Sequence, residues 1–347
     1  MTTGIGIIGM GGVSGAHVAG IAAAEGAELT AICDVVPACL ERDDVAAGVS
    51  RYGDPRELLA DDAVDAVLIL LPHEDHFPVA ADAIRAGKHV LLEKPMTVDA
   101  DQAHELTRLA ESSGLTLAVA HNSRFVRAYE EAAALVPGLG DIRLVRGLIH
   151  GSALANFARA DAGWRIEPNG VDALVDAAPH MFYLLTWMLG GITGLRATER
   201  HWVRDNLLPE VRIADSCLVD GRLGGGGAFT IEVSLSAELP WGERLEIYGS
   251  EGSVIIDQLA ADPVVTYSSG LDRGVPVTAV EHDLFGWQEA SIAACAKDFA
   301  EAVAARRPPT VDPADAVRAI ELLDAARESI ASGGIAVQTG NAEGAPS

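Results

Sequence analysis

The chain has 347 residues, 49% of them hydrophobic and 22% charged, which gives room for two domains with separate cores and excludes a disordered polymer. Acidic residues outnumber basic ones 50 to 25, and the resulting formal charge of −25 excludes a nucleic-acid backbone or an anionic membrane as the main partner. No run approaches the ~18–20 apolar residues of a membrane span, and Met1-Thr2-Thr3 leads into an apolar segment with no basic, cleavable leader.

Cys33, Cys39, Cys217 and Cys295 form no CxxC pair and no metal spacing, so reduced thiols of a cytoplasmic protein are expected. Residues 4–9 read as a buried strand, 16–24 as a helix and 29–33 as a second strand ending in Asp34. This is a βαβ unit with glycines at its first turn. Gly9 makes the tight turn, Gly11 lets the backbone approach a pyrophosphate, and the N–H groups around Gly12 and Val13, at the start of the helix, face that anion. Asp34 lies where a carboxylate accepts both ribose hydroxyls of a dinucleotide. It repels a 2′-phosphate, and no base follows before Arg42, so NAD is expected over NADP. Ser14 stands where the fingerprint has its third glycine.

The alternation continues with a strand over 63–71 that ends in Leu71, Pro72 and His73-Glu74-Asp75-His76. A helix over 78–86 stops at Gly87-Lys88-His89, and a strand over 90–92 closes at Glu93-Lys94-Pro95. A helix capped by Asp99 or Asp101 runs through Ser112, and 115–120 is a further strand. Strands alternating with helices predict a doubly wound parallel sheet, the Rossmann type. Ligands sit at the carboxyl ends of such strands, where 9–14, Asp34, 72–76, 93–95 and 121–124 fall.

These residues resemble the Gfo/Idh/MocA oxidoreductases (glucose–fructose oxidoreductase, inositol dehydrogenase and relatives). The resemblance rests on Gly9-Met10-Gly11-Gly12, Asp34, Asp65-Ala66-Val67, Pro72, His76, Ala86-Gly87-Lys88-His89-Val90, Glu93-Lys94-Pro95, Asn122 and Arg124-Phe125. It implies that Leu71, Pro72, His73, His76, Glu93, Lys94 and Asn122 contact the dinucleotide, with His73 standing where many relatives carry Asn. The peptide bond before Pro95 is often cis in relatives.

Beyond Phe125 the pattern changes. A helix over 128–135 is followed by strand-like runs at 142–152, 195–203, 216–223, 228–237, 243–249 and 253–256, with Gly224 to Gly227 as a hairpin turn. Strand after strand without helices predicts an antiparallel sheet and an α+β domain. The expected division is 1–123 for the NAD-binding Rossmann domain, 124–337 for a substrate-binding and oligomerisation domain with a large open sheet, and 338–347 for a flexible tail. By resemblance the open sheet carries oligomer contacts, so a homodimer or homotetramer is expected.

Asp176 and His180, four apart, share a face if one helix carries both. By resemblance to the family's DxxxH element, Lys94, Asp176 and His180 form the catalytic group, and Arg124, Trp164 and Arg165 border the substrate. An ammonium at Lys94 suits a reacting oxygen with alkoxide character. An imidazole at His180 suits proton exchange near neutral pH. Either is open as the acid/base. Pro179 lies between Asp176 and His180 and disfavours helical geometry at Ala178. No metal is expected, because His73 and His76 have no third ligand. The reaction implied is hydride transfer between NAD and a secondary hydroxyl or ketone of a sugar, inositol or related polyol. The alternatives are glycoside elimination or hydrolysis by transient oxidation with retained NAD, and a non-catalytic NAD sensor.

Overall fold

The computed structural model describes residues 2–152, 163–268, 274–277 and 286–340. Two compact units result, and they are not consecutive stretches: one comprises Met1–Phe125 and Gly286–Val317, the other Val126–Phe285 and Arg318–Ser347.

The first unit is built on six parallel strands in the order β3-β2-β1-β4-β5-β6. They are β1 (Thr3–Ile8), β2 (Ala27–Cys33), β3 (Ser50–Tyr52), β4 (Ala66–Ile69), β5 (His89–Leu92) and β6 (Leu117–Val119). Helices α1 (Ser14–Ala22), α2 (Pro55–Leu59), α3 (His73–Arg85) and α4 (Ala100–Ser113) alternate with them. The short β3 and α2 were not legible as elements. Asp99 caps α4 by accepting from the Gln102 N–H at 2.9 Å, and Gly114 ends it in left-handed geometry.

Helix Trp287–Ala305 returns from the far end of the sequence to this unit. Gly20 of α1 lets it approach, since a Cβ there would collide with the Ala293 carbonyl. Its residues Cys295, Ala296, Phe299, Ala300 and Val303 join Ile5, Ile7, Val18, Ile21 and Leu68 in one core. Each large aliphatic side chain so buried is worth about 1.5–3 kcal/mol. Nothing local in this helix says which core it joins, so the division expected from sequence does not include the return.

The second unit holds a nine-stranded sheet in the order β14-β13-β12-β11-β7-β10-β9-β8-β15. Its strands are β7 (Ile142–His150), β8 (Ile192–Arg200), β9 (Ser216–Leu223), β10 (Ala228–Ser234), β11 (Gly242–Gly249), β12 (Gly252–Asp257), β13 (Val264–Ser268), β14 (Val275–Pro276) and β15 (Val337–Gln338). All pairs are antiparallel except β7 with β10. Helix Ala178–Leu189 packs on one face, where Gly147 leaves room for Met181.

The expected tail begins inside the fold. Gln338 pairs with Gly194, the Thr339 hydroxyl donates to the Ile192 carbonyl at 2.6 Å, and Arg318 donates to the Gly340 carbonyl at 3.0 Å. Residues 341–347, the rest of that tail, lie outside the described residues. Among the described residues no helix is long and apolar enough to cross a membrane.

Candidate active site

β1 runs into Gly9, whose φ of 98° and closeness to the Leu70 carbonyl leave no place for a Cβ. Gly11 and Gly12 differ: a Cβ on either would meet no protein atom within 4 Å. Packing does not demand glycine there, and the open space fits a ligand brought against the backbone. α1 begins at Ser14 with no acidic residue in its first turn and no side-chain cap at Val13; the Ser14 N–H donates to the Gly11 carbonyl at 3.2 Å, and the turn that follows carries no capping side chain that would compete with an anion. Asp34, at the end of β2, accepts from the Met10 N–H through Oδ2 and from the Val36 N–H through Oδ1, both at 2.8 Å. The carboxylate thereby ties the glycine turn to the loop after β2, and each oxygen retains a lone pair for a ribose hydroxyl.

At the end of β5, the Glu93 carboxylate works in two directions. Its Oε1 lies 2.9 Å from His17 Nε2, and its Oε2 accepts from the Lys94 backbone N–H at 3.0 Å. Burial works to raise the Glu93 pKa, but the hydrogen bond and charge of His17, with the charge of Lys94, hold it below the ordinary carboxylate range. His17 is 0% exposed on the sheet-facing side of α1. The Lys94–Pro95 peptide is cis.

His76, also 0% exposed, stands on the other side of this turn. Its Nδ1 lies 2.8 Å from the Pro95 carbonyl oxygen and its Nε2 2.9 Å from that of Leu71. Burial lowers its pKa, against the pull of the two carbonyls. Both ring nitrogens are thus turned to backbone joining the ends of β4 and β5. His73, 5% exposed, opens α3 behind Pro72 and meets the His76 ring edge-on at 5.7 Å. Asn122 donates from Nδ2 to the Ser291 hydroxyl at 2.9 Å, anchoring helix Trp287–Ala305, and Arg124 follows in the same short 3-10 turn. The neighbouring motif Ala86-Gly87-Lys88-His89 has a structural use. Lys88 Nζ donates to the Asp61 and Val64 carbonyls at 3.0 and 2.7 Å, and His89 Nδ1 accepts from the Thr116 N–H at 2.9 Å.

In the second unit, Asp176 lies in a single π-helical turn, Ala173–Ala177, and His180 in the α-helix Ala178–Leu189 that follows. Two turn types thus meet between these residues, where one continuous α-helix was the condition for reading them as a pair. Pro179 falls in the first turn of the α-helix, where its missing N–H costs nothing, and Ala178 keeps helical angles of −60° and −31°.

Asp172 organises this corner. Its Oδ1 accepts from the Leu174 and Val175 N–H groups at 2.6 and 2.7 Å, its Oδ2 from the Ala214 N–H at 3.4 Å, and its backbone carbonyl from the Asp176 N–H at 3.0 Å. Burial pushes its pKa up to about 6, with Glu199 adding to the rise and the N–H donors opposing it. His180 is 8% exposed. Trp164 and Arg165 share a 3-10 turn, with the Arg165 guanidinium 5.5 Å from the Trp164 ring centroid. That turn folds back on Gly170, where a Cβ would strike the Trp164 and Arg165 carbonyls, and so leads directly into Asp172.

His17 and Asp172 were not singled out from the sequence. Signals for both exist: His17 falls on the same helical stripe as Ser14 and Ile21, and Asp172 precedes an apolar run as an N-cap does. Among the described residues no group of three His, Cys, Asp or Glu side chains is placed to hold a metal ion.

Comparison with known proteins agrees with this architecture. Residues 3–121 match the oxidoreductase family NAD-binding Rossmann fold, and residues 136–339 match the oxidoreductase family C-terminal alpha/beta domain. The chain is 34% identical over 228 residues to the uncharacterized oxidoreductase sll0816 of Synechocystis sp., covering 63% of this chain but only 61% of that protein. It is 25% identical over 275 residues to the myo-inositol 2-dehydrogenase of Thermotoga maritima, covering 78% of this chain and 80% of that one. Among solved structures, an NAD binding oxidoreductase from Klebsiella pneumoniae superposes with a TM-score of 0.84 at 25% identity, over 98% of this chain and 100% of that one. With both family domains matched in order along most of its length, the chain belongs to the Gfo/Idh/MocA family of oxidoreductases.

Proposed function

We propose that the chain is an NAD-dependent oxidoreductase that transfers a hydride between nicotinamide and a secondary hydroxyl or ketone of a sugar, inositol or related polyol. The observation that carries this reading is the turn after β5. There a buried carboxylate, braced by His17, fixes the backbone of Lys94 at the carboxyl edge of the sheet that also ends in the glycine turn and Asp34. The open space at Gly11 and Gly12 and the uncapped start of α1 suit the pyrophosphate. Myo-inositol 2-dehydrogenase among the relatives supports the polyol class.

Bound NAD supplies the acceptor or donor for the hydride. Asp34 takes the ribose hydroxyls and disfavours a 2′-phosphate, hence the preference for NAD over NADP. Lys94, as ammonium, holds the reacting oxygen and stabilises its alkoxide character. His180 exchanges the hydroxyl proton, with Lys94 the competing candidate for that step. Asp176 orients the site or holds polyol hydroxyls, and Arg124, Trp164 and Arg165 border the substrate. The test is a panel of sugars, inositols and sugar acids with NAD, followed at the nicotinamide absorbance. Turnover that disappears in Lys94→Ala supports the reading. Turnover without added or consumed NAD would replace it with elimination or hydrolysis.

We further propose a homodimer or homotetramer assembled on the sheet face opposite helix Ala178–Leu189. Leu144, Leu218 and Tyr267 lie on that face and are 44%, 43% and 40% exposed. Light scattering that gave a single 36.2 kDa particle at micromolar concentration would refute this.

A further inference from the structure

The loop from Asp34 to Val49 contains one basic residue, Arg42, and the fold returns it to the glycine turn. Its Nη1 donates to the Ser14 hydroxyl at 3.0 Å, and that hydroxyl donates in turn to the Gly11 carbonyl at 2.6 Å. Asp34 grips the same turn at Met10. The ribose-binding carboxylate and the guanidinium therefore attach to the two ends of one short segment. A nearby arginine is the usual means by which such a fold accommodates a 2′-phosphate.

Here the guanidinium is occupied. Asp44 takes it in a two-pronged pair, Nε to Oδ1 at 2.7 Å and Nη2 to Oδ2 at 2.6 Å. The pair rests on Gly15 of α1, where a Cβ would lie 3.3 Å from Arg42 Nη2 and 3.6 Å from Asp44 Oδ2. A carboxylate satisfies the planar fork and cancels its charge, and those are the two properties that make arginine a phosphate ligand.

We propose that Asp44 is a specificity-determining residue: by chelating Arg42 beside the glycine turn, it withholds the guanidinium from the adenosine ribose and so excludes NADP. This rests on the dinucleotide reading above and deepens it. Asp34 acts by repulsion at the ribose, and Asp44 acts by removing the attraction that would offset it.

The test measures binding of NADH and NADPH to the whole chain by calorimetry, with no substrate present. Asp44→Asn is expected to tighten NADPH about 5- to 10-fold, the order expected of a newly available charge-assisted phosphate contact at a partly exposed site, and to leave NADH within about twofold. Arg42→Gln in the wild-type background is expected to change neither by more than about twofold, and Arg42→Gln combined with Asp44→Asn to abolish the gain. An equal gain for both dinucleotides, or loss of NADH binding in Arg42→Gln, overturns the proposal by making Arg42 a pyrophosphate ligand. A gain that survives in the double variant also overturns it, by reducing Asp44 to a diffuse negative charge. Wild-type protein that binds neither dinucleotide defeats the underlying dinucleotide reading, whereas wild-type NADH binding with no response to Asp44→Asn defeats this inference alone.

Discussion

Two turns in this molecule use the same device with opposite electrostatics. After β5, the Glu93 carboxylate accepts a backbone N–H from Lys94. Before helix Ala178–Leu189, the Asp172 carboxylate accepts from Leu174 and Val175. Both anions are largely buried and both fix a stretch of backbone that carries a proposed catalytic residue. Glu93 has His17 and Lys94 beside it and its pKa is lowered, despite burial. For Asp172, burial with Glu199 nearby drives the value up to about 6. Burial alone does not decide whether a carboxylate stays charged; the sign of its neighbours does.

The largest expected effect lies in the groups these turns present. Lys94→Ala should lower turnover about 10²–10³-fold, the usual cost of losing a charge-stabilising donor. His180→Ala should cost about 10²–10⁴-fold, the range for a lost general acid or base. NAD affinity should hold in both, since neither residue is assigned to the pyrophosphate or ribose. Turnover and NAD binding measured together check this. Near-normal turnover in both variants would place the chemistry elsewhere, and collapse of NAD binding would make the residues cofactor-holding.

Next in size is the brace behind Lys94. His17→Ala leaves the Glu93 carboxylate buried without its partner and should destabilise the protein by about 3 kcal/mol. His17→Gln can still present an N–H and should recover part of the loss. The pH dependence has a definite sign. A carboxylate lowered in the folded state contributes stability that is present above its unfolded pKa and is lost as pH falls through the folded value. The wild type should therefore exceed His17→Ala by less at acid pH than at neutrality in denaturant melts. Turnover should fall in His17→Ala and return partly in His17→Gln, a pattern that a remote packing defect would not produce.

Most of the first unit was legible because its signals are local. A glycine turn, an acid at the end of β2 and strands with helices between them are short-range consequences of backbone sterics and burial. The bracing was not legible, because His17 and Glu93 are 76 residues apart and nothing in either segment alone announces the other. The return of helix Trp287–Ala305 to the first core is long-range for the same reason. In the second unit the strands could be read from alternation, but the π-helical turn could not. There Asp172 accepts two N–H groups at once while the Ala173 N–H donates to the Ala214 carbonyl across the corner, contacts that no local pattern announces. A spacing of four residues says nothing of where the turn type changes.

Asp172→Asn sharpens the contrast between the two turns. A carboxylate raised in the folded state gives stability that is fully present below its unfolded pKa and is lost as pH rises through about 6. The rise from the ordinary 3.8 to about 6 amounts to roughly 3 kcal/mol at most by pH 7. Asparagine keeps a carbonyl for the Leu174 and Val175 N–H groups without the charge. Relative to the variant, the wild type should lose stability between about pH 4 and pH 7, the reverse of the His17→Ala comparison. Parallel pH profiles for the two proteins would mean that Asp172 stays ionised throughout.

The smallest effect tests the junction itself. If the change from π to α geometry after Ala177 sets the turn, Pro179 is only accommodated by it, since it occupies a first-turn position that needs no N–H donor. Pro179→Ala should then cost about 0.5–1 kcal/mol, through the greater freedom of the unfolded chain, and turnover should stay within about twofold of wild type. If instead the proline forces the irregular turn, alanine would let a regular α-helix run from Ala173 through Leu189 and would swing Asp176 about the helix axis. Turnover would then fall with little change in melting temperature. Thermal melts and turnover on the same preparations separate the two, and with them whether Asp172 or Pro179 determines where Asp176 stands.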